Sequence, residues 1–95
     1  MDVEELRIEL ETIVLNLASS GFENIDSGTT GKLDVLAAAA GEIGMNEGKR
    51  LIKNLSGAIN DIKAGKSKTE SGNVRLTALE FYIKNLAASE HTEDL

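Results

Sequence analysis

Apolar residues recur along this chain at steps of three and four, the period of a helix with one buried face. Val3, Leu6, Leu10, Ile13 and Leu17 form one stripe and predict a first helix over residues 3–18. Asp2 followed by Glu5 has the residue types of a capping box, and Ser19, Ser20 and Gly21 are expected to stop the helix. A second helix is expected over 31–42, behind Thr30 as N-cap, with Leu33, Leu36, Ala37, Ala40 and Ile43 on one face. Gly41 and Gly44 should end it. The cleanest amphipathic pattern is Leu51, Ile52, Leu55, Ala58, Ile59 and Ile62, predicting a third helix over 47–64 between Asn46 as N-cap and Gly65 as C′ residue. Ser67 and Glu70 have capping-box spacing at the head of a fourth, over 69–88, whose Gly72 and Asn73 weaken the first turns. Leu79, Tyr82, Ile83 and Leu86 make its principal face, with Leu76 beside Ile83, and the polar tail 89–95 should fray.

No segment alternates as a strand would, so the expected fold is all-α: a four-helix bundle, up-down-up-down, forming one domain over 1–95. Short connections after the second and third helices force antiparallel neighbours, whereas the stretch from Gly21 to Thr30 is long enough to permit another path. Phe22 and Ile25 are its only large apolar residues and should fold back to plug one end of the bundle. The expected core is Leu6, Leu10, Ile13, Leu17, Leu33, Leu36, Ala40, Leu51, Leu55, Ile59, Ile62, Leu79, Ile83 and Leu86.

Composition narrows the function. Sixteen acidic residues against ten basic ones leave a net charge of −6, the wrong sign for a general nucleic-acid binder. The chain lacks cysteine, which removes disulfide and thiolate chemistry, and no apolar run approaches a membrane span. A soluble, cytoplasmic protein is expected. Ser27-Gly28-Thr29-Thr30-Gly31-Lys32 resembles part of a phosphate loop, but Asp26 stands where the first glycine belongs and Leu33 where a metal-binding hydroxyl is needed. A calcium loop between Glu23 and Gly28 fails because Ile25 falls on a ligand position. His91, the single histidine, lies in the acidic tail, which suits neither a phosphotransfer site nor a triad. No Glu-x-x-His occurs for a di-metal bundle. We therefore expect no catalytic residue, no metal and no cofactor.

Two surpluses remain. Residues 1–47 carry a charge of −8 and residues 48–84 a charge of +5, which suits attraction between the two halves or a basic patch from Lys49, Arg50, Lys53, Lys63, Lys66 and Lys68. Apolar residues also lie off the stripes. Val74, Phe81 and Ala88 stand seven apart on a flank of the fourth helix, and Ile8 and Leu15 seven apart on the far side of the first. Either the fourth helix is central and buries its wide arc, or Ile8, Leu15, Val74 and Phe81 form an interface. The expectation is a non-enzymatic interaction module of the adaptor, regulator, chaperone or immunity kind, with a second copy of the chain or another protein as partner. The competing reading makes the Gly21–Thr30 loop a ligand or anion site.

Overall fold

The structure is a computed structural model that describes residues 1–22 and 25–92, with side chains through residue 86. Four helices follow one another, α1 (Val3–Ser20), α2 (Thr29–Glu42), α3 (Asn46–Lys63) and α4 (Thr69–Thr92), with no strand among the described residues. Each packs against two others, α1 on α2, α2 on α3, α3 on α4 and α4 back on α1, so the bundle closes as a ring. Neighbours are antiparallel: the Ser56 hydroxyl donates to Asp34 Oδ1 across α2 and α3 (3.0 Å), while Gly41 meets Lys49 at their joined ends. Gly48 at the start of α3 touches Tyr82 late in α4, and Ile62 at the end of α3 touches Gly72 early in α4.

Helix ends follow local chemistry. The Glu5 N–H donates to Asp2 Oδ1 at 2.8 Å, as the capping box requires. Ser19 and Ser20 remain helical; the stop falls on Gly21, whose N–H reaches the Leu17 carbonyl. Thr30 is not the cap of α2. An Asx turn at Asp26, accepting from the Gly28 N–H at 3.2 Å, starts the helix early at Thr29 with Gly28 as an N-cap that offers no side chain. Asn46 is likewise the first residue of α3 rather than its cap, which is Met45. Ser67 makes no capping bond; the first turn of α4 instead forms through the Ser71 N–H on the Lys68 carbonyl.

Gly41 stays inside α2, and Gly44 ends it at φ +79°. Gly44 and Met45 donate back to Gly41 and Ala40, and Gly65 and Lys66 donate back to Ile62 and Asp61 in the same two-bond pattern. Both helices thus close in Schellman motifs, whose C′ residue needs the left-handed backbone that glycine adopts without strain. At the other extreme, α4 does not fray at Ser89. It continues to Thr92 because residues 86–92 include no glycine or proline to interrupt it. Residues 93–95 of the expected tail lie outside the described residues.

The core contains Leu6, Leu10, Ile13, Leu17, Leu33, Leu36, Ala40, Leu55, Ile59, Leu79 and Ile83 as the stripes predict. It also takes in Ala37 and Ile52 from the stripes of α2 and α3, and Val14 and Leu76, because ring closure buries a wider arc of α1 and α4 than one neighbour would. Leu51, Ile62 and Leu86, expected in the core, are only half-buried. Leu51 and Ile62 stand at the edge of α3, where they pack against the core from outside. Phe22 does plug the end of the bundle and is buried. Its ring lies over Gly72, so close that a Cβ there would sit 2.8 Å from Cε1 and 2.9 Å from the Ile62 methyl.

Candidate interaction surface

Burial of Leu76, Leu79 and Ile83 between α3 and α1 uses one side of α4 and leaves the opposite side bare. Ile8, Leu15, Val74 and Phe81 are 50, 66, 64 and 68% exposed, so packing within the ring absorbs none of the four. A central α4 accounts for the principal face of the helix but not for its flank.

The four do not form one continuous patch. Val74 and Phe81 line a shallow groove between α4 and α3 with Ala78, Leu51, Tyr82 and Asn85. Leu15 lines a second groove, between α1 and α4, with Val14, Ala18 and Ile83. Glu80 and Lys84 border that second groove on the α4 side, setting a charged strip between Leu15 and Phe81. Ile8 lines neither groove; it projects from the outer side of α1.

Ala78 and Asn85 complete a pattern on the outer side of α4. Val74, Ala78, Phe81 and Asn85 follow at steps of four, three and four, and all are exposed. The signal is present in the sequence, but it emerges only when the alanine and the asparagine are counted with the large apolar residues. Val35 on α2, 64% exposed, is a further large apolar residue off its stripe.

Charges around the α3–α4 groove are locally matched. Arg50 Nε donates to Glu47 Oε2 at 3.1 Å, and its Nη2 to Oε1. That hydrogen bond holds the Glu47 carboxyl below its ordinary pKa and the Arg50 guanidinium above its own. Burial raises the Tyr82 phenol, against the opposing pull of the Gly48 backbone N–H, and the nearby Glu47 charge adds to the rise. Elsewhere Arg7 bridges Glu4 and Glu11 within α1, and Lys32 on α2 reaches Glu9 on α1 at 3.7 Å. The Arg7 and Lys32 pairs stay within α1 and α2, and the Glu47–Arg50 pair stays within α3.

Beside the Gly21–Thr30 loop, a cleft of about 410 Å³ opens between α1 and α2, edged by Asn16, Ser20, Thr29 and Lys32. The groups an anion would use there already face carboxylates. Gly28 donates to Asp26, and Lys32 lies beside Glu9. Among the described residues no group of three or more His, Cys, Asp or Glu side chains is arranged to hold a metal ion, and no helix is long and apolar enough to cross a membrane. The side chain of His91 lies outside the described residues.

The fold defines an all-α four-helix bundle with an exposed apolar strip along its last helix. No protein-family model, curated protein or solved structure matches the chain.

Proposed function

We propose that this chain is a non-enzymatic interaction module, cytoplasmic, that works by burying the outer face of α4 against a protein surface, in the first instance a second copy of itself. The observation that carries this reading is the exposure of Phe81 and Val74, two large apolar side chains one above the other on the outer side of α4, with Ala78 between them. Apolar strips of this kind on a small domain mark contact sites more often than accidents of composition. Leu15, behind the Glu80–Lys84 strip, and Ile8, on the outer side of α1, lie apart from this face.

Size-exclusion chromatography with light scattering on the full chain, at tens of micromolar, tests the reading. Twice the chain mass is expected, and Phe81→Lys should return the protein to one chain mass. Because Phe81 is 68% exposed, its replacement should leave the far-ultraviolet circular dichroism unchanged. A wild-type chain that stays monomeric up to several hundred micromolar refutes self-association through this face.

A further inference from the structure

Resting on that reading, we infer that the occupant of the α4 face is α4 of a second copy, lying parallel to the first, with Val74, Ala78, Phe81 and Asn85 as a short in-register seam. Three observations lead there. Steps of four, three and four place these residues at successive a and d positions of a heptad, the spacing by which two helices stay in contact along their length. Phe81 and Val74 occupy d positions, and Ala78, at a between them, leaves room for close approach. Asn85 is the next a residue. A lone asparagine at a is the polar element that fixes register in two-stranded seams, since it is satisfied only opposite its own copy.

The flanks of α4 decide direction. On one side lies α3, which carries a charge of +2, and on the other α1, which carries −3. A two-fold axis running along α4 makes the helices parallel and exchanges the flanks, so α3 of each copy stands over α1 of the other. An axis crossing α4 makes them antiparallel and stands α1 over α1, acid against acid. Flanking positions of the seam agree. In the heptad set by Ala78 and Phe81, Glu70 is a g residue and Arg75 the e residue five positions on, and both are exposed. In a parallel pair g of one helix meets e of the other, so Glu70 faces Arg75 twice. An antiparallel pair would set g against g and lose both contacts.

Absence of cysteine makes the register directly readable. Asn85→Cys and, separately, Val74→Cys should each oxidise to a disulfide-linked dimer, because each position faces its own copy across the axis. In the antiparallel alternative neither variant links with itself, and only a mixture of the two does; that result overturns the inference while leaving self-association intact. A wild type that light scattering finds monomeric overturns both. Glu70→Arg should weaken the dimer about two- to tenfold, as expected for losing two exposed ion pairs, and adding Arg75→Glu should restore it. A double variant no tighter than the single one removes the pairing from the interface.

Discussion

Gly57 and Gly72 offer the same substitution with opposite expected signs. Both sit inside helices, where replacing glycine by alanine stabilises by up to about 1 kcal/mol through backbone entropy. Gly57 lies on the open side of α3 with nothing within 4 Å of a new Cβ, so Gly57→Ala should realise that gain. At Gly72 the new methyl would come within 2.8 Å of the Phe22 ring and 2.9 Å of the Ile62 methyl. The Ile62 methyl ends a flexible side chain and can turn aside, but the Phe22 ring is buried and stiff. Overpacking of this kind costs about 1–3 kcal/mol, which exceeds the helical gain. Gly72→Ala should therefore be neutral to about 2 kcal/mol destabilising, and the two variants should differ by about 1–3 kcal/mol. Urea titration followed by circular dichroism, compared at constant m, measures both. Phe22→Leu should take up part of the strain, so the Gly72→Ala cost should shrink in that background, a non-additivity expected only of touching residues. If Gly72→Ala stabilises as much as Gly57→Ala, the Phe22 ring does not occupy the notch over α4.

Two further outcomes follow from the core and the groove. Leu55 is fully buried in mid-α3, and Leu55→Ala should cost about 2–5 kcal/mol, a large share of the roughly 5–10 kcal/mol typical of such domains; a chemical denaturation loss under about 1 kcal/mol would show the face misassigned. Tyr82 is the only tyrosine and there is no tryptophan, so phenolate absorbance reports its titration alone; the midpoint should lie above the ordinary phenol value of about 10. Because burial raises the folded pKa, the unfolded chain loses its proton first, and stability should fall as pH rises from about 10 through the folded value, a slope that Tyr82→Phe removes.

The helices were legible because their periodicity is local: Leu6, Leu10, Ile13 and Leu17 declare a face without reference to anything distant. What needed the structure was whatever depends on contact across the chain. Val14 is buried where α1 meets α4, beside Ile83, and nothing within either helix announces that meeting. Gly72 illustrates the same limit. Its sequence context marks a weak helix start, while its role is to admit a ring from fifty residues earlier. Caps were misplaced where several cap-competent residues stand in a row, as at Ser27 to Thr30, and a turn set by Asp26 chose among them. Exposure of Ile8, Leu15, Val74 and Phe81 could be read from helical angles, but their division between separate surfaces could not, because it depends on where α3 and α1 lie against α4.

Ring closure has a consequence for the order of assembly. The connections α2–α3 and α3–α4 are short, and the seams they form are broad, so α2, α3 and α4 can meet through nearby partners along the chain. α1 is different. Its seams with α2 and α4 are thinner, and its contact with α4 spans most of the sequence, so the entropy of closing that long loop is recovered only when α1 docks. The transition state should then hold the last three helices in partial contact while α1 is still searching. The same asymmetry makes α1 the first element to detach, uncovering Leu76 and Ile83 on α4 while the remaining helices stay paired.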